Sequence, residues 1–342
     1  MMHDAKRTRV FVVAALGLFI FLAIAIWQKD TLWFSKPPPP RQKISLAVTS
    51  TYIGSGLLYL ALDQAYFAQQ GLDVTFIPYT SGRDALNAAL GQRADLATSA
   101  NIPIMFSAMQ DLPVSIVATI FTASRDHGIV ARHDRGIEHV SELRGKRVGV
   151  TLQSDSHFIL STMLAREQAT LNDVQVVSMA PEAMVAALQT GTVDAISTWE
   201  PMMTAANKAL GKNASEFRVE GGYFFDFNLV VRRDWTAAHP GQLQKLIKAL
   251  LAAKQYADEN PQAARQIVVK RMHMDPTIFN FVDSRYRFVV QLDQNLLIML
   301  EDQTRWAIQA GLTTNKTMPD YLSAIDMRHL TAVKPDAVTI VR

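Results

Sequence analysis

Apolar positions in this chain recur at helical spacing, stop at a glycine, and resume as a short continuous apolar run; this happens twice. The clearer instance is residues 186–201, A-A-L-Q-T-G-T-V-D-A-I-S-T-W-E-P. Ala186, Ala187 and Leu188 form the last turn of a helix, and Gly191 supplies the left-handed residue that ends it. Residues 193–197 read as a strand, Thr198-Trp199-Glu200 as the loop leaving it, and Pro201 as the first position of the next helix. About a hundred residues earlier, residues 87–101 repeat the device with Gly91, Asp95, the polar stretch 98–101 and Pro103. The match extends upstream, with strands at 43–51 and 146–153, helices at 57–70 and 158–168, and second strands at 73–79 and 174–179. The following helices open at Ser81-Gly82-Arg83-Asp84 and at Pro181-Glu182. Two β-α-β-α-β units in tandem are too long for a solenoid repeat and predict two similar lobes. In such sheets, loops at the carboxyl ends of strands that feed helices are where ligands bind.

Between and after these units the pattern is plainer. Residues 113–123 and 128–132 are consecutive strands that form the natural crossover from lobe one to lobe two. Residues 227–231 read as a strand on the return crossover. The remainder reads as helical, at 240–260, 261–272, 286–310 and 319–324, around an irregular 275–283. Leu246, Leu250 and Leu251, and Leu292, Leu296, Leu297 and Leu300, recur at helical spacing and are expected in the core. Residues 338–341 are a last apolar run, of edge-strand type.

The N-terminus adds a compartment. Lys6, Arg7 and Arg9 precede a continuously apolar stretch at 10–27, which is either a secretory signal or a membrane anchor. Ala23-Ile24-Ala25 fits cleavage, whereas Ile26 and Trp27 carry the apolar run past it and Trp33 and Phe34 look interfacial, favouring an uncleaved anchor. Either way the body is exported, and K-P-P-P-P-R at 36–41 is a stiff spacer. The expected layout is a basic stub at 1–9, an anchor at 10–27, a linker at 28–42, lobe one at 43–125, lobe two at 126–228, and lobe one's return with the C-terminal helices at 229–342.

Composition narrows the chemistry. A net charge of +3 over 342 residues argues against a nucleic-acid face. The absence of cysteine removes disulfides, thiolate catalysis and cysteine zinc sites. Gly54-Ser55-Gly56 is neither a nucleophile elbow nor a dinucleotide fingerprint. Met272-His273-Met274 suits a packed turn better than a metal site, and no metal or cofactor is expected. Helix N-termini converging on one cleft favour an anionic group. Ser81, Ser154 and Ser156 would add hydroxyls, and Tyr52, Trp199 and Phe225 would pack an organic frame. Glu200 and Asp155 would repel a bare anion; they either hold a cationic end or cap helices. Ser81 could serve only as a cap, and His157 only as a helix residue. Glu200 with His157 is the one pair that an enzyme reading would test.

In order and spacing, K-I-S-L-A-V, L-A-L-D-Q-A-Y-F-A-Q-Q-G-L-D-V, the Ser81-Gly82 loop, A-L-G-Q-R-A-D-L-A, L-R-G-K-R-V-G-V, A-L-Q-T-G-T-V-D-A-I-S-T-W-E-P and R-R-D-W-x-x-x-H-P carry a family resemblance. The chain resembles the periplasmic substrate-binding proteins of ABC importers for nitrate, sulfonate, taurine and related ligands, over roughly residues 43–341. The resemblance implies an α/β, two-lobed periplasmic-binding-protein fold of type II, each lobe an open mostly parallel sheet flanked by helices. It implies a non-enzymatic, monomeric binder that closes on a small anionic solute and delivers it to a permease and its ATPase. By position it places Thr51, Tyr52, Ser81, Gly82, Asn101, Gln153, Ser154, Asp155, Ser156, His157, Trp199, Glu200 and the Phe225-Asp226 region at the ligand. The Q-S-D-S-H loop is more charged than a simple anion site calls for. A binder of thiamine-type pyrimidine precursors and a membrane-tethered sensor or scaffold are the alternatives.

Overall fold

A computed structural model describes residues 40–219, 224–274 and 286–341. The apolar segment at 10–27, with its anchor and cleavage readings, lies outside the described residues. Among those residues no helix is long and apolar enough to cross a membrane.

The first unit runs β1 (Gln42–Thr49), α1 (Gly56–Asp63), α2 (Tyr66–Gln69), β2 (Leu72–Tyr79), α3 (Gly82–Leu90), β3 (Leu96–Ala100) and α4 (Asn101–Met109). Two long strands follow, β4 (Val114–Ser124) and β5 (His127–Arg132). The second unit is β6 (Arg147–Val150), α5 (Asp155–Arg166), β7 (Gln175–Ser178), α6 (Pro181–Thr190), β8 (Ala195–Trp199), α7 (Met202–Leu210) and β9 (Ala214–Arg218). Then come β10 (Phe224–Arg232), α8 (Arg233–Ala238), α9 (Pro240–Glu259), α10 (Pro261–Arg271), β11 (Tyr286–Gln291), α11 (Gln294–Gln309), α12 (Tyr321–Ala324) and α13 (Arg328–Val333).

The strands form two sheets, ordered β11-β4-β10-β3-β1-β2 and β7-β6-β8-β5-β9. In each, the three strands of a β-α-β-α-β unit are parallel. The strands next to the crossovers join them antiparallel. The acidic residue before each third strand explains the repeat. Asp95 accepts from the Ser45 amide and hydroxyl, both at 2.7 Å, and its own amide donates to the Ser45 carbonyl. Asp194 does the same for the Arg147 amide at 2.9 Å and adds the Arg147 guanidinium. Each carboxylate therefore fixes where the third strand meets the first, and hence where its carboxyl end points.

The central strands are buried because both faces are covered, whereas β2, β7 and β9 at the edges stay partly exposed. Ile44, Leu46 and Val48 from β1 and Leu57, Leu58 and Leu60 from α1 are essentially inaccessible, each worth roughly 1.5–3 kcal/mol of burial. A separate cluster, Val130, Met184, Leu188, Val193, Ile196, Met203 and Ala206, fills the space under α6 and α7. Trp306 of α11 meets Phe106 of the first unit and His157 and Phe158 of the second, at ring separations of 6.5, 5.5 and 5.1 Å.

Several expectations need correction. Residues 286–291 are a strand rather than the start of a helix, as the run Tyr286, Phe288, Val289 and Val290 favours. The polar stretches 98–101 and 198–199 are not loops: β3 runs to Ala100 and β8 to Trp199. Phe224–Arg232 pairs with β3 and β4, so residues 224–228 sit in the first sheet and not with lobe two. The expected helix 57–70 breaks at Ala65, whose φ is 56°, and Phe67 beyond the break packs against Phe76. Gly191 ends α6 in the left-handed region, as expected; at the earlier turn Gly91 is not left-handed and Gln92 takes that role. The run 338–341 makes only an isolated bridge, Val338 to Leu292.

Candidate functional site

The carboxyl ends of β1 and β3 face those of β6 and β8, and a cavity of about 50 Å³ lies between them. That volume holds several waters. Thr49, Tyr52, Ser81, Gly82, Arg83, Ala100 and Pro103 line it from the first unit, and Thr151, Ser154, Asp155 and Trp199 from the second. His127, Phe225, Asp226 and Phe227, from the strands flanking the two connections between the sheets, complete the wall. Gly82 lets the backbones approach closely there: a Cβ would sit 3.2 Å from the Ser99 backbone, tighter than an ordinary contact.

Aromatic rings form one side of the cavity. Phe225 stacks on His127 at 4.0 Å, Trp199 lies 6.0 Å from the same imidazole, and Tyr52 meets Phe227 edge-on at 4.9 Å. Asp126, fully buried on the first connection, accepts from the Tyr52 hydroxyl at 2.6 Å and bonds His127 Nδ1 at 2.7 Å. Burial, with the Asp126 charge beside it, raises the Tyr52 phenol well above its ordinary range. Since Nδ1 is engaged, Nε2 is the imidazole nitrogen left for the cavity.

The helix N-termini carry their own acids. At α3, Ser81 caps through its oxygen to the Asp84 amide and donates to the Asp84 carboxylate at 2.7 Å, so its hydroxyl is engaged in capping. At α5, Asp155 occupies the first turn, and burial pushes its carboxyl up to about 6. At α7, Glu200 accepts from the Thr204 amide and hydroxyl at 3.0 and 2.8 Å and from Arg218 at 2.6 Å. Asp226 is 4% exposed, and burial, then the Asp293 charge, pushes its carboxyl up to about 7 while a hydrogen bond with Asn101 opposes this.

Eight of the residues expected at the ligand meet at this wall: Tyr52, Ser81, Gly82, Ser154, Asp155, Trp199, Phe225 and Asp226. The other six do not line it. Thr51 is exposed and donates to the Thr80 carbonyl. Asn101 is buried behind the wall, accepting from Asn228 at 2.7 Å. Gln153 turns with φ 57° and its amide points back to His157 Nδ1 at 3.4 Å. Ser156 receives Ser197 on its carbonyl and bonds Ser154 through its hydroxyl. His157 packs on Trp306, and burial lowers its pKa to about 4, so it sits neutral in the core. Glu200 is committed to Arg218 and its own helix; it acts as a cap, and the pairing of Glu200 with His157 is not formed at the cavity. Sequence reasoning missed Thr49, Arg83, Pro103, His127, Thr151 and Phe227 on the wall, and Asp126, which holds Tyr52 and His127 from behind it. A signal for two of them was present, since Arg125-Asp126-His127 is a charged triplet set between two apolar strands.

Among the described residues no group of three or more histidines and carboxylates is placed to hold a metal ion. Met272-His273-Met274 is the turn that ends α10, with His273 at φ 54°.

The NMT1/THI5-like family model matches residues 54–264, more than half of the chain. The chain belongs to the NMT1/THI5-like family. It is 30% identical over 239 residues to the bicarbonate transport ATP-binding protein CmpC of Synechococcus elongatus, spanning 64% of this chain and 36% of that protein. It is 24% identical over 202 residues to the taurine-binding periplasmic protein of Escherichia coli K12, spanning 58% of this chain and 62% of that one. The chain thus covers less than two thirds of the length of either relative. In three dimensions it is similar to the alkanesulfonate-binding protein SsuA from Xanthomonas axonopodis pv. citri bound to MOPS, with a TM-score of 0.72, 17% identity, and 83% and 98% of the two chains covered. That likeness establishes the two-lobed fold of this NMT1/THI5-like chain.

Proposed function

We propose that this protein is the extracytoplasmic solute-binding component of an ABC import system. It captures a small organic solute bearing an anionic group of the sulfonate, taurine or carboxylate kind and presents it to a permease driven by an ATPase. The observation that carries the reading is the cavity between two sheets, at the carboxyl ends of strands from both, in a chain of this family. The first-turn amides of α3 at Gly82 and Arg83, with the Arg83 side chain beside them, suit the anionic end. Trp199, Phe225 and Tyr52 suit the carbon frame.

The mechanism follows from two connections between the sheets and from Arg83. Its Nη1 donates to the Leu152 carbonyl at 3.2 Å, from the first unit to the second across the cavity mouth. A solute seated against both units binds the closed arrangement more tightly than the open one, and only that difference drives closure. The reading is of a binder rather than an enzyme, tethered to the membrane by the N-terminal segment and working as a monomer.

A thermal-shift panel tests this on the purified full-length chain with taurine, alkanesulfonates, nitrate, bicarbonate, small carboxylates and pyrimidine precursors. A bound solute at a hundred times its Kd stabilises by about 2.7 kcal/mol and raises Tm, and is recovered chemically unchanged. A shift with pyrimidines alone would replace the anion reading by the pyrimidine one. Flat curves throughout would remove the solute-binding role.

A further inference from the structure

Asp226 stands on the cavity wall between Phe225 and Phe227, in β10. It is 4% exposed, and its Oδ2 is buried without a hydrogen-bond partner among the described residues. A hydrogen bond with Asn101 of α4 engages the carboxyl, and two other acids act on it: Asp293, which caps α11, and Asp155, at the start of α5. His127, the imidazole of the wall, acts on Asp155 and bonds Asp126. Arg83, at the start of α3, bonds the Leu152 carbonyl. Arg287 shares a face of the sheet with Asp226, across Thr122 of β4, and is exposed.

Burial, then the Asp293 and Asp155 charges, push the Asp226 carboxyl up to about 7 against the bond with Asn101, so near neutrality it divides between neutral and ionised forms. An anionic group entering the cavity adds a further negative charge, in a space walled by Phe225, Phe227 and Trp199 where charges are poorly screened. A carboxylate offers an oxyanion only acceptors and repels it, whereas a protonated carboxyl has an O–H to donate. The two forms of Asp226 therefore differ in affinity for an anion, and by linkage the anion favours the form that holds the proton.

Resting on the solute-binding reading, we propose that capture of an anionic solute is coupled to protonation of Asp226. The proton passes from solvent to the Asp226 carboxylate as the anion enters; no other bond is made or broken, and the closed protein carries anion and proton together. Asp226 is thus a specificity-determining residue, which sets the pH range in which a fully ionised solute is held.

Propanesulfonate and nitrate are the probes, because neither titrates near neutrality and every proton exchanged belongs to the protein and the buffer. Calorimetric titration of the full-length chain in two buffers of different ionisation enthalpy counts the protons taken up. Roughly half a proton or more per solute is expected to enter at pH 8, and affinity is expected to weaken by about five- to tenfold between pH 6 and pH 8. Asp226→Asn, which cannot titrate at that position, is expected to remove most of the uptake at pH 8 and most of the pH dependence above pH 7. Asp293→Asn keeps a side-chain oxygen to cap α11 while taking one charge away from Asp226, and is expected to move the midpoint of the profile to lower pH; it carries the test should Asp226→Asn fail to fold. Binding with no proton uptake at pH 8, or with proton release, overturns the proposal and leaves the solute-binding reading standing. Uptake that survives Asp226→Asn undiminished assigns the proton to another group and overturns it as well. Failure of both probes to bind at pH 6, where the carboxyl is mostly protonated, also overturns it, while the wider solute panel still decides the solute-binding role.

Discussion

Replacing Asp226 by asparagine should make the ligand-free protein more stable at pH 8, against the usual result of altering a buried polar residue. The perturbation is nearly isosteric: the amide oxygen can keep the bond to Asn101 while the charge beside Asp155 and Asp293 disappears. In the folded protein the carboxyl is pushed from 3.8 up to about 7. Holding it ionised above that pH costs about 1.4 kcal/mol for each pKa unit, hence about 4 kcal/mol. The sign follows from proton binding. Between about pH 4 and 7 the folded state holds a proton that the unfolded state has released, so stability falls as pH rises through that window. At pH 4 wild type and Asp226→Asn should differ little; at pH 8 the variant should lead by up to about 4 kcal/mol. Urea unfolding of the ligand-free proteins at the two pH values measures this. A variant that is equally or less stable at pH 8, or one whose gain is the same at both pH values, would refute the reasoning that Asp226 sits buried and unmatched.

Other outcomes follow from the same geometry. Glu200→Gln should cost about 1–2 kcal/mol by weakening the bonds to Arg218 and Thr204, since Arg218 keeps Glu216 and the Arg125 carbonyl, with little change in ligand affinity, read by denaturation and calorimetry together. Trp306→Ala should cost about 3 kcal/mol through the lost contacts to Phe106, His157 and Phe158. His157 has a folded pKa lowered to about 4, so its contribution is complete above the unfolded value of 6.5 and is lost as pH falls from there toward 4; His157→Phe should flatten that acid limb of a Tm-against-pH curve. Arg83→Ala should speed solute release in stopped-flow traces, because it removes both the bond to Leu152 and the cation nearest the anionic end.

The fold was legible because the repeat is written in residues with structural reasons. Asp95 and Asp194 recur since each pins a third strand to a first, and Gly191 ends its helix in the left-handed region, a role Gln92 takes at the earlier turn. The strand at Tyr286–Gln291 was hidden because it runs without a turn residue into leucines at helical spacing. For the site, loops named by position reach the cavity wall where a strand end or helix start faces inward, as at Tyr52, Gly82, Ser154 and Trp199. They missed where the chain turns a residue backward: Gln153 is left-handed, His157 points under α11, and Glu200 is captured by Arg218, nearly twenty positions later. Asp126 and His127 lay on a connection between lobes, where neither periodicity nor loop position assigns a direction to a side chain.

The most direct test of the central claim is small-angle X-ray scattering of the full-length chain with and without a saturating solute identified by the thermal-shift panel. Capture between two lobes predicts a smaller radius of gyration with solute bound. An unchanged radius for a wild-type protein shown to be saturated would contradict ligand-driven closure, and with it the account of the cavity as the solute site.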